Sequence, residues 1–228
     1  MPGDFFRNFT QMSRKSIFYT VFFTLLAVGF FLVLKAIIPG YGVKSFQILN
    51  EVKPFSFTNQ DGKQVTERDV AGKVYVAEYF FTTCTGICPI LNDNMRTIYE
   101  KYKDTPGFMI LSHTCNPETD SAARLKQYAD SMQVDVSKWV FLTGKKDSLY
   151  NTARVSYLLD DPKNNVHNIE EQFLHTQFFA LVDKNGKVRK KIYDGLKKKE
   201  LKELEEDIQV LLDEPASTTR FVNNLFGN

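Results

Sequence analysis

The sequence predicts an α/β domain, with a central mixed sheet and flanking helices, that follows one transmembrane helix. Three observations support this. Three strand patterns alternate with helical patterns between residues 73 and 159, an order typical of strands joined by crossover helices. A hairpin pattern then precedes a last amphipathic helix, which adds antiparallel strands to the sheet. Near the N-terminus lies an uncharged run long enough to cross a bilayer.

The uncharged run extends over nineteen residues from Ser16 to Leu34, about the length that spans a hydrocarbon core as a helix. Arg14 and Lys15 precede it, and the bias of such residues toward the cytoplasm predicts that the domain lies outside. A cleaved signal peptide is the alternative. Its apolar core is usually only about 7 to 15 residues long, and no small-x-small cleavage site follows this run. We therefore predict a retained, single-pass anchor in the inner (cytoplasmic) membrane and a periplasmic domain.

This interpretation divides the chain into five parts. They are a cytoplasmic N-terminus (1–15), a transmembrane anchor (16–38), a linker (39–54), the α/β domain (55–213) and a flexible C-terminal tail (214–228). The formal net charge of +2 is +3 over residues 1–38 and −1 over the remainder. A nearly neutral domain does not attract phosphates, so nucleic-acid binding is not expected.

The strands and helices of the domain are predicted from their own patterns. The predicted strands are Phe55–Thr58, Gln64–Thr66, Lys73–Phe81, Phe108–Leu111, Trp139–Leu142, Phe178–Val182 and Val188–Tyr193. The predicted helices are Pro89–Tyr102, Asn116–Met132, Lys146–Leu159 and Leu196–Leu212. Residues 160–171 are polar and lack periodicity, so they are predicted to form a surface loop. The order of these elements is thioredoxin-like.

Cys84 and Cys88 lie where the third predicted strand is followed by a helix beginning at Pro89. Residues four apart share a helix face, with Cβ atoms about 5 to 6 Å apart, so two sulfurs could bind one metal ion or approach each other. The start of a helix also lowers thiol pKa values. Ordinary buried cysteines are the alternative, but they do not require this position or an exported setting.

The residues leave two kinds of thiol chemistry open. A redox pair in a thioredoxin-like context is usually Cys-x2-Cys, and the spacing here is one residue longer. Two thiolates suit Cu(I), and an added imidazole would let the site hold Cu(II) as well. Two cysteines alone cannot complete a structural zinc site, which needs four protein ligands.

The chain has three histidines, His113, His167 and His175. His175 precedes the last hairpin, where the thioredoxin-like order would bring it against the cysteine loop. His113 ends the second buried strand, at the same carboxyl edge of the sheet. A lone histidine is more often a structural residue than a ligand, and His167, in the polar loop, is the weakest candidate.

Several motifs, in this order, resemble the Sco/SenC family. They are Tyr79–Pro89 (YFFTTCTGICP), Asn116–Asp120 (NPETD), His175-Thr176 and Ala180–Gly186 (ALVDKNG), within a similarity that covers Phe55 to Leu212. The resemblance implies a membrane-tethered, thioredoxin-like copper protein that helps to assemble the dinuclear copper centre of cytochrome c oxidase. It also implies that Cys84, Cys88 and His175 bind copper, as Cu(I) or Cu(II). The implied partner is the copper-site subunit of the oxidase or another exported copper protein.

The chain departs from the family pattern at three places. Thr85-Gly86 stands where family members often carry Pro-Asp, and Leu174 stands where an acidic residue often precedes the histidine. Loss of that carboxylate would weaken the orientation of the His175 imidazole. Cys115 stands where the family usually has no cysteine, either as a semi-buried small hydrophobe or as a resolving thiol near the pair.

Three functions therefore follow from the sequence. The first is a copper-binding assembly factor that transfers its metal by ligand exchange and needs no turnover chemistry. The second is a thiol-disulfide reductase that keeps the cysteines of an acceptor reduced, with Cys84 attacking and Cys88 resolving. A peroxidase-like enzyme is the third, and it would need a peroxide-reactive thiolate.

Overall fold

A computed structural model describes residues 13–37, 46–161, 174 and 176–215 of the chain, which divides into the units Met1–Val43 and Lys44–Asn228. The first unit contains helix α1 (Arg14–Ile37). Within it, Arg14–Leu34 has a mean hydropathy of 2.5, and its most apolar window is not buried by other residues. Among the described residues, α1 is the one helix long and apolar enough, by length and composition, to cross a membrane.

The second unit is built on one eight-stranded mixed sheet. Its strands are β1 (Ile48–Glu51), β2 (Ser56–Asn59), β3 (Gln64–Thr66), β4 (Val74–Phe80), β5 (Phe108–Thr114), β6 (Trp139–Thr143), β7 (Phe178–Val182) and β8 (Lys187–Asp194). They lie side by side in the order β1-β8-β7-β4-β5-β6-β2-β3. The central strands β4, β5 and β6 are parallel, and the other neighbours are antiparallel.

Helices cover both faces of this sheet. They are α2 (Cys88–Tyr102), α3 (Ala122–Met132), α4 (Lys146–Asn151), which continues into a π-helix (Thr152–Ser156), and α5 (Lys198–Asp213). Apolar residues of α2, α3 and α5 pack on one face, and those of α4 and the π-helix pack on the other. This architecture confirms the predicted thioredoxin-like fold, with a central mixed sheet and flanking helices.

Strand β4 lies at the centre of the sheet and is buried along its whole length. Its side chains alternate, because successive residues of a strand point to opposite faces. Val76 and Phe80 join the core beneath α2, whereas Tyr75 and Tyr79 join the core beneath α4. Because β4 and β5 are parallel, their carboxyl ends lie at the same edge of the sheet. The two cysteines follow β4 at this edge, Cys84 in the loop and Cys88 at the start of α2.

A buried arginine on β8 joins the beginning and the end of the sheet domain. The Arg189 guanidinium donates to the Phe46 carbonyl oxygen at 3.0 and 3.2 Å, and to the Asp183 carboxylate at 2.6 Å. It also donates to both carboxylate oxygens of Glu214, just beyond α5, at 3.1 and 3.2 Å. A charge this deeply buried is tolerated because each of these partners accepts a hydrogen bond from it.

The structure differs from the sequence prediction in three elements. Residues 48–51 form strand β1, so the predicted linker 39–54 contains an edge strand of the sheet. The predicted helix from Asn116 begins only at Ala122, after Ser121 caps it by accepting a hydrogen bond from the Arg124 backbone N–H. The predicted helix Lys146–Leu159 ends its α-helical part at Asn151 and continues as the π-helix.

Candidate functional site

The two cysteines flank a short loop between β4 and α2. Cys84 is half-buried in the loop, whereas Cys88 is the first residue of α2 and is buried, and both are free thiols. Pro89 occupies the first turn of the helix, where its missing N–H leaves no hydrogen bond unmade. The start of α2 contains no acidic residue in its first turn. The N–H groups at this helix terminus therefore face the sulfurs without a competing carboxylate.

Hydrogen bonds set the acidity of Cys84. Burial raises the pKa of this thiol, but the hydrogen bond from the Cys88 side chain lowers it. The backbone N–H groups of Cys88, Gly86 and Ile87 lower it further. The net effect is a lowered pKa, because a sulfur that accepts several N–H groups is stabilised as the thiolate. Cys84 is thus the thiol that ionises first.

Cys88 behaves in the opposite way. Burial raises the pKa of Cys88 to about 12, and the hydrogen bond to Cys84 acts in the same direction because Cys88 is the donor. The charges of Cys84 and Glu78 raise it as well, while the Phe81 backbone N–H opposes them. One proton is consequently shared by the pair, with a thiolate at Cys84 and a thiol at Cys88.

A buried carboxyl group lies within the core beneath α2, and the sequence analysis did not single it out. Glu78 on β4 is only 1% exposed and accepts a 2.5 Å hydrogen bond from the Ser112 hydroxyl on β5. The Trp139 indole N–H donates to the same hydroxyl at 2.7 Å. Burial raises the pKa of Glu78 to about 8, against the lowering effect of Ser112. The signal in the sequence was a single acid inside the apolar strand pattern Lys73–Phe81.

His113 lies on the opposite side of the sheet from the cysteine pair. It is fully buried on β5 in the core beneath α4, stacked on Tyr79 and edge-on to Phe57. Neither of its ring nitrogens has a hydrogen-bond partner. Burial lowers the pKa of His113 to about 4, while the nearby carbonyl groups of Glu78 and Leu111 act in the opposite direction. The structure therefore places His113 among aromatic rings and away from the thiols.

This environment predicts that the contribution of His113 to stability is lost in acid. Between pH 6.5 and about 4 the unfolded chain binds a proton at His113 that the folded chain does not bind. The His113 contribution to the free energy of unfolding therefore falls as the pH falls through this window, by about 3 kcal/mol. We expect His113→Phe, which keeps an aromatic ring, to remove most of this dependence. Urea unfolding of both proteins at pH 7 and pH 4.5 measures this difference, and the same change in the free energy of unfolding in both proteins would contradict the assignment.

Cys115, the third cysteine, is buried at the end of β5. Its thiol donates to the Phe80 carbonyl oxygen at 3.2 Å, and its own carbonyl oxygen accepts from the Tyr150 hydroxyl at 2.8 Å. Burial raises the pKa of Cys115 well above that of an ordinary thiol. These contacts are those of a packed, protonated thiol in the core beneath α4, more deeply buried than the predicted semi-buried hydrophobe.

His175, the third predicted ligand, lies outside the described residues, as does His167. The residue before it, Leu174, is buried, and its backbone N–H donates to the Tyr150 hydroxyl at 3.1 Å. Within the described part of the chain, no three Cys, His, Asp or Glu side chains are grouped to hold a metal ion. The structure thus brings Cys84 and Cys88 together, and the role of His175 stays a prediction.

The fold and the loop between β4 and α2, residues 81–87, together define a class of protein; this loop and Cys88 are called the thiol loop. A thioredoxin-like sheet carries two free cysteines, four residues apart, at the point where a central parallel strand is followed by a helix. The SCO1/SenC family profile matches residues 46–212, and the chain belongs to this family.

Named relatives share both sequence and fold with the chain. It is 35% identical over 150 residues to the SCO1 protein homolog of Bacillus subtilis (strain 168), and this match covers 64% of this chain and 75% of the relative. BsSco, described as a cytochrome c oxidase assembly protein with a disulfide switch, is 31% identical, with a TM-score of 0.62 over 74% of this chain and 98% of its own. Yeast Sco1, solved with copper bound, is 26% identical, with a TM-score of 0.50 over 70% and 93% of the two chains.

Proposed function

We propose that this chain is a membrane-anchored copper-binding assembly factor that delivers copper to the dinuclear copper site of cytochrome c oxidase or to another exported copper protein. The observation that carries the proposal is the free thiol pair at the start of α2, in a chain of the SCO1/SenC family. The copper bound to yeast Sco1 supports it. Copper is here the cargo that the chain accepts and passes on.

The donor atoms fit this cargo. Thiolate sulfur is a soft ligand that suits Cu(I), and an imidazole in addition suits Cu(II). In the proposal Cys84, Cys88 and His175 are the ligands. Cys84 is the first thiolate to form, whereas the metal must displace the proton of Cys88, whose pKa is about 12. Copper binding should therefore release a proton and strengthen as the pH rises.

The unequal exposure of the two sulfurs suits transfer by ligand exchange. Cys84 is half-buried and Cys88 is buried. Around them Thr83, Gly86 and Ile87 are exposed and uncharged, so an incoming thiolate of an acceptor meets no like charge in this part of the loop. The acceptor can replace Cys84 first, while Cys88 still holds the metal. No step of this sequence requires turnover chemistry.

A competition titration tests the proposal. The reduced, full-length chain in detergent is titrated with Cu(I) in the presence of a chromogenic chelator of known affinity. We expect it to retain about one equivalent, as one site with two soft ligands requires. If the chelator keeps all the copper while both thiols remain titratable, the proposal is wrong.

The thiol pair also supports a second candidate function, thiol-disulfide reduction of the acceptor. An attacking thiolate with a lowered pKa beside a protonated partner is the arrangement that disulfide exchange requires. In this alternative Cys84 attacks and Cys88 resolves. The disulfide switch of BsSco favours it as well.

His175→Ala distinguishes the two functions. Loss of an imidazole ligand is expected to weaken Cu(II) binding by more than about 100-fold, beyond the usual effect of losing a group that only orients a ligand. Reduction of a model disulfide should continue, because it needs only the two thiols. Cu(II) titration and a disulfide-reduction assay are run on the same preparation. Unchanged Cu(II) binding would show that His175 is not a ligand.

We propose further that α1 anchors the chain in the inner membrane and that residues 55–213 lie in the periplasm. The length and composition of α1, and Arg14 and Lys15 at its start, support this orientation. The linker (39–54), of which residues 48–51 form β1, and the flexible tail (214–228), of which Glu214 is bound by Arg189, remain part of the same proposal. A membrane-impermeant thiol reagent applied to intact cells tests the orientation. It should label Cys84, and labelling only after lysis would place the domain inside.

A further inference from the structure

A buried carboxylate lies at the base of the thiol loop. Asp120, between β5 and α3, has no exposed surface. Its Oδ1 accepts from the Thr82 hydroxyl at 2.6 Å, and its Oδ2 accepts from the Thr82 backbone N–H at 3.1 Å. Oδ2 also accepts from the Thr114 hydroxyl at 2.6 Å. One side chain thus binds the second residue after β4 and the last residue of β5.

These hydrogen bonds continue on both sides. The Thr82 hydroxyl, which donates to Asp120, accepts in turn from Arg124 Nε of α3 at 3.1 Å. The Thr114 hydroxyl accepts from the Asn116 backbone N–H at 2.9 Å. Since hydroxyls can donate and accept at once, each threonine is held from two directions. Asp120 therefore joins the end of β4, the end of β5 and the start of α3.

Thr82 is connected to both cysteines through the preceding residue, Phe81. The Cys84 backbone N–H donates to the Phe81 carbonyl oxygen at 3.2 Å, and the Phe81 backbone N–H points to the Cys88 sulfur. Phe81 is bonded covalently to Thr82. A shift of Thr82 would therefore move the residue whose backbone contacts both cysteines. The carboxylate holds the loop at this point, two residues before Cys84.

We propose that Asp120 is a positioning residue of the thiol pair. By holding Thr82 in place, it keeps the Cys84 sulfur on the N–H groups of Gly86, Ile87 and Cys88. An effect of Asp120 on copper binding rests on the proposed function. Its effect on the position of the two thiols can be tested without copper.

Asp120→Asn changes the hydrogen bonding with little change of shape. An amide has only one acceptor oxygen, and its NH₂ group faces a donor where the carboxylate had accepted. At least one of the three hydrogen bonds is therefore lost. Thr82→Val removes the hydroxyl that donates to Asp120, and Thr82→Ser keeps a hydroxyl at this position. These two variants also test the proposal if Asp120→Asn does not fold.

Asp183→Asn is the matched control. Asp183 is likewise buried, and it accepts from the Asn185 and Lys187 backbone N–H groups and from Arg189 at 2.6 to 3.0 Å. It lies in the β7–β8 turn rather than at the thiol loop. A general loss of stability should therefore occur in this variant without a specific effect on the cysteines.

The readout is the ratio of alkylation rates at Cys84 and Cys88, measured by peptide mass spectrometry on the reduced, full-length chain at neutral pH. The wild type should react mainly at Cys84. We expect the ratio to fall about tenfold in Asp120→Asn and Thr82→Val, the effect of losing one hydrogen bond to a charged group. Thr82→Ser and Asp183→Asn should keep the wild-type ratio. In the copper arm, Asp120→Asn should weaken Cu(II) binding by about 10- to 100-fold.

An unchanged ratio in both Asp120→Asn and Thr82→Val would overturn the proposal. An equal fall in Asp183→Asn would also overturn it, because the effect would then reflect general instability. If the ratio falls as expected while the wild type binds no copper, the positioning role stands and the proposed copper function fails.

Discussion

Replacing Cys88 with serine is expected to weaken Cu(I) binding by more than about 100-fold, since a lost ligand should cost more than a lost group that only supports a ligand. A serine hydroxyl does not ionise near neutral pH and is a hard ligand, so it does not replace thiolate for Cu(I). The Cys88 position is buried at the start of α2, and a serine fits there without steric conflict. Competition with a Cu(I) chelator measures the change.

Cys115→Ser is the control for this prediction. It makes the same chemical change at a buried thiol that donates to the Phe80 carbonyl oxygen, and a serine hydroxyl can make the same hydrogen bond. We expect its Cu(I) affinity to stay within about twofold of the wild type, because Cys115 packs in the core on the other side of the sheet. If Cys115→Ser lost copper as completely as Cys88→Ser, the site would have to include the third cysteine.

Glu78→Gln is expected to change how stability depends on pH. The pKa of Glu78 is raised to about 8 by burial, so the folded chain holds a proton that the unfolded chain releases near pH 4.5. This contribution to stability is fully present below pH 4.5 and is lost as the pH rises toward 8. The wild type should lose about 4 kcal/mol between pH 5 and pH 8 that the glutamine variant does not lose.

Urea unfolding of both proteins at pH 5 and pH 8 measures this difference. At pH 5 the two should lie within about 2 kcal/mol of each other, because glutamine keeps an acceptor for Ser112 but adds an NH₂ group that needs a partner. At pH 8 the glutamine variant should be the more stable protein. Parallel losses in the two proteins would show that Glu78 does not hold its proton in the folded chain.

The main features of the site could be predicted from the sequence because they depend on local patterns. An apolar strand, two cysteines and a proline follow one another within Lys73–Pro89, and this order alone places the thiols between a central strand and a helix. The structure confirms the mixed sheet and the order of its central elements. It adds the unequal ionisation of the pair, which comes from burial and from N–H groups that only the folded loop brings together.

Features that depend on distant residues could not be predicted. Strand β1 is only four residues long, and the Asn50 side chain donates to the Val155 and Ser156 carbonyl oxygens, 105 and 106 residues away. Those bonds satisfy carbonyl groups of the π-helix, where the sequence predicted a continuous α-helix. The Asn116–Asp120 motif likewise suggested a helix start. Asp120 instead turns inward to bind Thr82 and Thr114, so α3 begins after it.

X-ray absorption spectroscopy of the copper-loaded, full-length chain tests the central claim most directly. For Cu(II) we expect two sulfur ligands and at least one imidazole, with the imidazole signal lost in His175→Ala. Sulfur scattering should fall to one ligand in Cys84→Ser and in Cys88→Ser. A copper shell of only nitrogen and oxygen in the wild type would contradict the assignment of Cys84 and Cys88 as the metal-binding pair.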